Sequence, residues 1–543
     1  MNVPCEKAII YVRDINAEYE YTTGRNRIAR VITFGCKMNE NDSEKIMGLL
    51  VEMGFYIEPP QTSGKFGNPA PLGALGVESA DTQQDGARAP DLIILNTCSV
   101  RENAEQRFFG ILGSMKRYKA GDPARVLAVC GCMAQEDVVV KAISDKYNYV
   151  DFVFGTKAIS KLPALLADAY RMRKEAYTTE NSRIKKGVPV MNAIEGEALE
   201  DRLPMYRKTP PNALISIMNG CDNFCSYCIV PYVRGREQSR TPESIVGEAN
   251  QLASLGYREI TLLGQNVNSY GNDLAAWNTD FAGLLARLSM INGIWRIRYM
   301  TSHPKDLSDR LIAAIRDIDA VCPQLHLPVQ SGSSAVLARM NRGYSREDYI
   351  KLVYKIKTAI PYITLTTDII VGFPGESDAD FNATLSLIEE AGFDLAYTFI
   401  FSPRKGTTAA GYADRVPDDI IKNRFERLLE LQNRISYEKN RDMIGSEYDI
   451  LCEGTSKTNN ERLTGRTPGG KVVNFRICAA LPAGAETTSG GETPASGETP
   501  ASSAGTGVAP PLKTDADGEY TGKIIRARIE QAHTWSLDGV AIL

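Results

Sequence analysis

The chain has 543 residues, of which 43% are hydrophobic and 24% are charged. These proportions are ordinary for a folded protein and exclude a chain that is disordered throughout, and the length predicts about three domains. The formal net charge of -4 argues against a protein that coats nucleic acid non-specifically through its phosphates. A specific nucleic-acid site with local basic patches is still compatible with this charge.

The start of the chain mixes charges with short apolar runs and lacks the apolar core of a signal peptide. No segment reaches the apolar length of a membrane span, so we expect a cytoplasmic protein without membrane association. The eleven cysteines are sparse and odd in number, which argues against a disulfide scaffold. In a reducing compartment they are expected to be thiols or metal ligands.

Residues 27–172 predict an N-terminal α/β domain with a parallel sheet. Short apolar runs such as DLIILNTCS and RVLAVCGC alternate with amphipathic segments such as AEQRFFGILGSMKRY. Such alternation is typical of parallel strands covered by helices. Residues 59–88 are of low complexity and predict an inserted loop, and residues 173–211 predict a linker.

Residues 212–444 restart the alternation with six strand-and-helix repeats, from ALISIMN to LAYTFIFS. Six such repeats predict a partial (β/α)6 barrel, a class of fold that binds ligands at the carboxyl ends of its strands. Residues 445–543 change to short alternating strands, which predict a small antiparallel β-barrel. A second low-complexity insert, residues 480–518, interrupts that barrel.

Three cysteines lie in one loop directly after the first predicted strand of residues 212–444. Cys221, Cys225 and Cys228 form C-x-x-x-C-x-x-C in the segment GCDNFCSYC. Three thiolates can hold three irons of a cubane cluster and leave the fourth iron open to a ligand. Zinc is the competing metal, but a closed structural zinc site usually has four ligands, and the neighbouring sequence offers no fourth Cys or His. A set of three buried structural cysteines is disfavoured because the loop is polar.

Three further cysteines are spread along the N-terminal region, each after a predicted strand. Cys36 lies in TFGCKMNENDSE, Cys98 in LNTCSVREN and Cys132 in CGCMAQE. Because parallel strands place their carboxyl ends at one sheet edge, we expect these three thiols to converge as a second metal site. Singly, each is better explained as a core cysteine, and Cys130 is predicted to be one.

The loop Cys221–Cys228 resembles the cluster loop of the radical S-adenosylmethionine superfamily. The resemblance implies that S-adenosylmethionine binds the open iron and yields a radical that abstracts hydrogen, and it implies no catalytic side chain beyond the cluster ligands. It also implies a set of cofactor-binding positions at strand ends. These are Tyr227, Gly264, Gln265, Asn266, Gln330, Ser331, Asp368 and Gly372. Turn chemistry at strand ends is the alternative explanation for each position taken singly.

Two three-cysteine sets ahead of a small C-terminal barrel resemble the methylthiotransferase family across nearly the whole chain outside the two inserts. The resemblance names the three regions as a methylthiotransferase domain, a radical domain and an RNA-recognising TRAM domain. It implies two 4Fe-4S clusters and two S-adenosylmethionine molecules per turnover. A one-electron reductant of the flavodoxin or ferredoxin type and a monomeric enzyme are expected with it.

Within the family, segments such as LLGQNVNSYG, TSHPKD and FSPRKGTTAA are similar to the branch that acts on N6-dimethylallyladenosine in tRNA. The implied reaction replaces the C2 hydrogen of N6-dimethylallyladenosine, beside the anticodon, with a methylthio group. The implied partner is therefore a tRNA anticodon stem-loop carrying that nucleoside. Action on threonylcarbamoyladenosine or on a ribosomal-protein aspartate is the alternative, and a non-catalytic iron-sulfur RNA-binding protein is a further one.

RNA binding requires local basic surface, and two groups of basic residues are candidates. Each group could contact phosphates or simply form a solvated face. The first follows the cysteine loop, and the second is in the terminal barrel with few acidic residues nearby in sequence. They are Arg234, Arg236 and Arg240, and Lys457, Arg462, Arg466, Lys471 and Arg476.

Overall fold

The computed structural model describes residues 5–58, 88–99, 102–122, 124–178, 190–191, 203–207, 209–477 and 518–542. The predicted inserts, most of the predicted linker and Cys478 lie outside the described residues. The described part contains three units of regular structure, which follow one another along the chain. None of its helices combines the length and the apolar character that a membrane span requires.

The N-terminal unit is a six-stranded parallel sheet in the order β2-β1-β3-β4-β5-β6. The alternation predicted a parallel sheet with the strands β1, β3, β4 and β5, whereas the two-residue strands β2 and β6 were not predicted. Helices cover both faces, with one apolar core on each. Every residue of β3 and β4 is buried, which explains why both strands read as unbroken apolar runs. The strands are β1 Ile28–Thr33, β2 Tyr56–Ile57, β3 Leu92–Thr97, β4 Val126–Gly131, β5 Phe152–Phe154 and β6 Val190–Met191. The helices are α1 Cys5–Thr23, α2 Lys37–Glu52, α3 Glu102–Gly121, α4 Asp137–Lys146 and α5 Leu162–Thr178.

Helix α1 was not predicted, since the sequence placed the start of the first domain at residue 27. It packs on α5, and Asn16 Nδ2 donates to the Met53 carbonyl oxygen over 2.8 Å at the end of α2. Only Ala8, Val12 and Asn16 are fully buried along α1. This stripe of small and polar residues is too weakly apolar to reveal a helix by periodicity.

The central unit has all six predicted parallel strands, arranged as an open barrel of two three-stranded sheets. These sheets run β11-β10-β7 and β12-β13-β14, and the bridge between Ile297 and Val321 joins them. The six strands are β7 Asn212–Ser216, β10 Glu259–Leu263, β11 Arg296–Tyr299, β12 Gln324–His326, β13 Thr364–Val371 and β14 Leu395–Ile400. The two-residue strands β8 Met218–Asn219 and β9 Gln238–Ser239 form a separate antiparallel pair. The helices are α6 Val230–Arg234, α7 Pro242–Ser254, α8 Phe281–Ser289, α9 Asp309–Asp317, α10 Ser334–Arg339, α11 Arg346–Ala359, α12 Asp378–Ala391 and α13 Asp418–Arg441.

Local signals fix where several of these helices begin. Ser345 with Asp348, and Ser377 with Asp380, form capping boxes at the starts of α11 and α12. Each box satisfies backbone N–H groups that the first turn of a helix leaves unpaired. The first box separates α11 from the preceding α10, and the second starts α12 after the loop that follows β13.

The C-terminal unit is a closed five-stranded barrel in the order β15-β16-β17-β19-β18. Four strand pairs are antiparallel as predicted, but β17 and β19 pair in parallel, which corrects the expectation of a wholly antiparallel barrel. Its strands are β15 Glu447–Thr455, β16 Leu463–Arg466, β17 Val472–Arg476, β18 Ile524–Ala532 and β19 Leu537–Ala541. The short strands β16 and β19 were not predicted.

This barrel docks on the amino-terminal ends of the central strands. Arg296 and Arg298, both buried at the start of β11, donate to four carbonyl oxygens of the barrel over 2.6 to 2.9 Å. Lys471 adds an ion pair to Asp394 at 2.9 Å, ahead of β14. The carboxyl ends of the same strands, where the cysteine loop begins, are consequently left to face the N-terminal unit.

Candidate metal centres and cofactor site

The loop that carries Cys221, Cys225 and Cys228 is shaped by its own backbone. The Cys228 N–H donates to the Cys225 carbonyl over 2.9 Å, and the Cys221 N–H donates to the Gly235 carbonyl over 3.2 Å. Gly220 precedes the loop at φ 81°, and a Cβ there would lie 2.0 Å from the Arg236 carbonyl oxygen. Only glycine fits, because any side chain would push apart the two ends of the loop.

The surroundings of this loop disfavour free thiolates and favour thiolates that are bound to a metal cation. Burial raises the pKa of Cys221 to about 11 and that of Cys228 to about 12, and the neighbouring Cys225 thiol raises the pKa of Cys228 further. Arg342 is buried beside them and its Nη1 donates to Cys225 Sγ over 3.3 Å. A metal that binds all three sulfurs supplies the positive charge that their ionisation requires.

The other three cysteines follow three neighbouring strands of the N-terminal sheet. Cys36 lies at the N-terminus of α2 after β1, Cys98 follows β3, and Cys132 opens a 3-10 turn after β4. A hydrogen bond with Cys98 lowers the pKa of Cys36 to about 6, and Cys132 Sγ and Cys36 Sγ lie 4.0 and 3.5 Å from Asn39 Oδ1. The structure therefore brings these three predicted residues together at one sheet edge.

Asn39 holds together the loops at this sheet edge through side-chain hydrogen bonds, a role that the sequence analysis did not predict. Its buried amide nitrogen lies 2.5 Å from the Thr97 carbonyl and 3.1 Å from the Phe34 carbonyl and donates to both. It thereby ties the loop after β1 to the end of β3. Gly35 fits the same junction at φ 103°, where a Cβ would lie 2.2 Å from Cys98 Cβ. The residue belongs to the motif KMNEND, but nothing in that string identifies which polar residue is buried.

The two cysteine sets are neighbours across the interface between the N-terminal and central units. Cys132 packs in a buried apolar cluster with Ile229, the residue after Cys228, and with Val233. Arg234, on α6, completes the contact: its Nη2 donates to Asp42 over 2.8 Å and to Asn39 Oδ1 over 3.2 Å. One short segment of chain thus links the contiguous cysteine loop to the assembled set.

Neither alternative given for Arg234 and Arg240, contact with RNA phosphates or a solvated face, is correct. Both are buried, Arg234 paired with Asp42 and Arg240 with Glu248 at 2.6 Å. Only Arg236 of this group is exposed. In the terminal barrel, four of the five named basic residues are in ion pairs with acidic residues that are more distant in sequence, so their charges are compensated in the fold. These pairs are Arg462–Asp538, Arg466–Glu453, Lys471–Asp394 and Arg476–Glu530.

Three thiols without a fourth protein ligand suit an open cluster better than a single ion. Within the described ranges, no three Cys, His, Asp or Glu side chains are already arranged to hold one metal ion. A four-iron cluster instead takes one thiolate on each iron and accepts more widely spaced sulfurs. The donor set of each trio fits such a cluster with one iron left for another ligand.

The predicted cofactor positions lie at the carboxyl ends of the central strands. Tyr227 packs with Phe373 and Val336, and its hydroxyl accepts from Arg342 Nη1 over 3.4 Å. Gly372 has φ 75°, and a Cβ there would meet the Ile421 side chain at 2.6 Å. Both positions are therefore fixed by contacts within the protein, and their contact with the cofactor stays a prediction.

Gly264, Gln265 and Asn266 form the turn after β10. The Asn266 amide donates to Asp306 over 2.7 Å and accepts from the His303 N–H over 3.1 Å, so both ends of its side chain are used within the protein. Gln265 Oε1 is buried without a hydrogen-bond partner among the described residues. Of the three, Gln265 has the side chain most suited to a ligand.

Gln330 and Ser331 follow β12, whereas Asp368 lies within β13, to which Gln330 pairs. Gln330 has φ 76° and pairs with β13, donating from its N–H to the Asp368 carbonyl over 2.9 Å. Ser331 is fully buried and its Oγ accepts from the Ser333 N–H over 3.2 Å. The Asp368 carboxylate lies 3.5 Å from His326 Nε2. The backbone pairing thus places Gln330 beside Asp368, and Ser331 is the next residue along the chain.

The remaining cysteines differ from the two sets. Cys130 is a residue of β4 and is buried in the apolar core on one face of the sheet, as predicted. Cys322 and Cys452 are also buried, and Cys5 is exposed with its Sγ donating to the Ser160 carbonyl over 3.2 Å.

Two family models and a solved structure match parts of this chain. Residues 215–388 match the model of the Radical SAM superfamily, and residues 72–155 match that of Uncharacterized protein family UPF0004. A solved radical S-adenosylmethionine methyltransferase from Kitasatospora setae is 15% identical with a TM-score of 0.46, covering 71% of this chain and 77% of its own.

Curated relatives are much more similar. The tRNA-2-methylthio-N(6)-dimethylallyladenosine synthase of Acetivibrio thermocellus is 44% identical over 534 residues, which cover 98% of this chain and 95% of that protein. The synthase of the same name from Thermoanaerobacter pseudethanolicus is 48% identical over 457 residues, 84% of this chain and 88% of its own. This chain therefore belongs to the family of tRNA-2-methylthio-N(6)-dimethylallyladenosine synthases.

Proposed function

We propose that this protein replaces the C2 hydrogen of N6-dimethylallyladenosine, beside the tRNA anticodon, with a methylthio group. The observation that carries the proposal is the packing of Cys132 against Ile229, which sets two three-thiol sites side by side across one interface. A reaction that activates a carbon and delivers sulfur to it needs two reactive centres within reach of one substrate atom. Two adjacent open sites meet that requirement.

The two sets of thiols have separate roles in this proposal. Cys221, Cys225 and Cys228 would hold the cluster that binds S-adenosylmethionine, and Cys36, Cys98 and Cys132 would hold a second 4Fe-4S cluster. When bound, these groups supply a hydrogen-abstracting radical and a site for sulfur. The protein orients the sulfurs, and buried Arg342 beside Cys225 sets the charge around the first set.

The protein around both sets excludes water from the reacting centre. Cys98, Cys132 and Cys225 are buried, and Ile229 and Val233 form an apolar seam between the sites. A reactive carbon radical survives only where solvent and stray hydrogen donors are kept away. The apolar seam and the buried Arg234–Asp42 pair therefore serve the chemistry by closing the interface.

The RNA would approach where the cysteine loop is exposed. Phe224 and the exposed Tyr232 meet edge to face at 6.0 Å, and the Arg236 guanidinium lies 5.2 Å from the centre of the Phe224 ring. Aromatic rings and arginine planes stack on unpaired bases, and an anticodon loop offers such bases. We place the anticodon stem-loop over this surface.

The remaining assignments complete the proposal. The chain is taken as a cytoplasmic monomer that receives electrons one at a time from a flavodoxin- or ferredoxin-type donor. Its domains are residues 27–172, 212–444 and 445–543, joined by a linker at 173–211. The eight cofactor positions, Tyr227 to Gly372, belong to the S-adenosylmethionine site in this assignment.

The test is nucleoside mass spectrometry of tRNA from cells with and without the protein. We expect 2-methylthio-N6-dimethylallyladenosine to disappear and N6-dimethylallyladenosine to accumulate when the protein is absent, and both to revert on complementation. An unchanged tRNA profile together with an unmodified ribosomal aspartate would instead favour the alternative substrate. Reduced, reconstituted protein that never forms 5'-deoxyadenosine would identify a non-catalytic protein.

A further inference from the structure

Four buried polar atoms at the ends of β10 and β11 have no hydrogen-bond partner in the described part of the chain. They are Gln265 Oε1, Asn268 Oδ1, Ser302 Oγ and His303 Nε2. Leaving one such atom unpaired lowers the stability of the fold by about 1–3 kcal/mol, so four of them in two adjacent turns are strongly destabilising unless a ligand pairs with them. Clustering of this kind indicates a binding site.

Backbone and amide hydrogen bonds hold the two turns against each other. The Val267 N–H donates to the Thr301 carbonyl over 3.0 Å, and Asn268 Nδ2 donates to the His303 carbonyl over 3.3 Å. Thr301 has φ 70°, a left-handed conformation that a β-branched residue rarely adopts. Strain of this kind persists where a site requires it. The turn is therefore built to present Ser302 and His303 in one arrangement.

The hydrogen bonds of His303 fix which ring nitrogen carries the proton. Its Nδ1 accepts from the Lys305 N–H over 3.3 Å, so Nδ1 is unprotonated. Burial, with the positive charges of Arg342 and Lys305, lowers the pKa of His303 to about 2, which keeps the ring neutral. The proton is consequently on Nε2, and this unpartnered atom is a donor. Gln265 Oε1 and Asn268 Oδ1 are acceptors, and the Ser302 hydroxyl can act as either.

The site is connected to the cysteine loop through two side chains. The His303 ring packs edge to face on Tyr344 with centroids 5.7 Å apart. The Tyr344 hydroxyl accepts from Arg342 Nε over 2.9 Å, and Arg342 Nη1 donates to Cys225 Sγ. The unpartnered atoms therefore lie at the same end of the barrel as the cluster loop, where the proposed cofactor and the substrate must both bind.

We propose that Ser302 and His303, with Gln265 and Asn268, form a hydrogen-bonding pocket for an adenosyl group, to which His303 Nε2–H donates. An adenosyl group offers ring-nitrogen and ribose-oxygen acceptors and an amino donor, which match one fixed donor and two fixed acceptors. The inference rests on the proposed function, since that reaction brings adenosyl groups of two kinds to this end of the barrel. One kind belongs to S-adenosylmethionine and the other to the target nucleoside.

Two substitutions of His303 separate the ligand contact from a structural role. His303→Asn keeps an acceptor near the Nδ1 position for Lys305 but has no group at the Nε2 position. His303→Gln places an amide donor near the Nε2 position. We would measure dissociation constants of unreduced, reconstituted holoprotein for S-adenosylmethionine, and for a synthetic anticodon stem-loop with N6-dimethylallyladenosine. The thermal unfolding temperature of each variant would be measured alongside.

We expect His303→Asn to weaken binding of one ligand by about tenfold, the loss of one hydrogen bond to a buried partner, and His303→Gln to retain it within about threefold. Weaker S-adenosylmethionine binding alone identifies the cofactor as the occupant, and weaker stem-loop binding alone identifies the substrate. Unchanged constants in both variants overturn the proposal. Equal losses in both variants, with a lowered unfolding temperature, overturn it in favour of a structural role.

The proposed function and the pocket fail in different ways. If wild-type holoprotein forms no methylthio product but His303→Asn still weakens S-adenosylmethionine binding selectively, the function fails and the pocket stands. If wild-type holoprotein forms the product and His303→Asn binds both ligands as wild type does, the pocket fails and the function stands. A stem-loop with unmodified adenosine serves as the matched RNA control.

Discussion

The two cysteine sets are built in opposite ways. Cys221, Cys225 and Cys228 share one loop, whose form depends on a glycine and a few local backbone hydrogen bonds. Cys36, Cys98 and Cys132 come from the ends of three strands and meet only because those strands are neighbours in a parallel sheet. The first set is a property of a short segment, whereas the second is a property of a fold. Damage to the fold should therefore harm the two sites unequally.

Replacing each set of cysteines with alanine tests their separate roles with the largest expected effect. Each triple Cys→Ala variant should keep about half of the wild-type iron, since each set holds one of two equal clusters. Methylthio product should fall below detection in both. Formation of 5'-deoxyadenosine should be lost when the loop cysteines are replaced and persist when Cys36, Cys98 and Cys132 are replaced. Iron content that is unchanged in either variant would remove that set as a cluster site.

Arg234 is the next test, because it joins the two sets through a buried ion pair with Asp42. Removing one partner of such a pair leaves an uncompensated buried charge, so Arg234→Met should lower the free energy of unfolding by about 3–5 kcal/mol. Adding Asp42→Leu should recover most of that loss. The free energy of unfolding of each variant would be measured by urea titration.

Arg236→Met is the matched control in the same segment. Arg236 is exposed and pairs with Asp222 at 3.1 Å, so its replacement should change stability by less than about 0.5 kcal/mol. A cost below about 1 kcal/mol for Arg234→Met would mean that the interface between the units does not depend on this pair.

A pair of glycine substitutions sharpens the contrast between local and assembled sites. Gly220→Ala should distort the cysteine loop and Gly35→Ala the junction with Cys98, each lowering stability by about 1–3 kcal/mol. Each should also reduce iron at one cluster only, which electron paramagnetic resonance of the reduced protein can distinguish. Gly256→Ala is the control, since Gly256 has φ 90° but open space around its Cα. Loss of both clusters in either test variant would show that the sites are not independent.

The same contrast explains what the sequence could predict. The six central strands and four of the six strands of the N-terminal sheet follow from local patterns and were predicted in place. Convergence of Cys36, Cys98 and Cys132 required only the rule that parallel strands end at one edge. Helix α1 and the short strands β2, β6, β16 and β19 were missed because each offers few apolar positions to a periodic pattern.

Side-chain roles that depend on burial were not accessible. Arg234, Arg236 and Arg240 are close in sequence and chemically identical, yet two of them are buried in ion pairs and one faces solvent. Asn39, Arg342 and His303 likewise take their roles from partners far along the chain. Such roles are set by tertiary contacts, which composition and spacing do not encode.

The smallest effect concerns the exposed side of the cysteine loop. If Arg236 contacts the anticodon stem-loop, Arg236→Met should weaken RNA binding by about threefold and reduce the slope of log affinity against log salt by about 0.7, the value for one single-strand phosphate. Arg310→Met is a matched control, because the two side chains are 70% and 68% exposed and each pairs with an aspartate at 3.1 Å. Fluorescence anisotropy across a salt series gives both quantities. Equal slopes for the two variants would show that the loop carries cluster chemistry without guiding RNA, whereas a shift confined to Arg236→Met would show that one contiguous segment serves both the metal and the substrate.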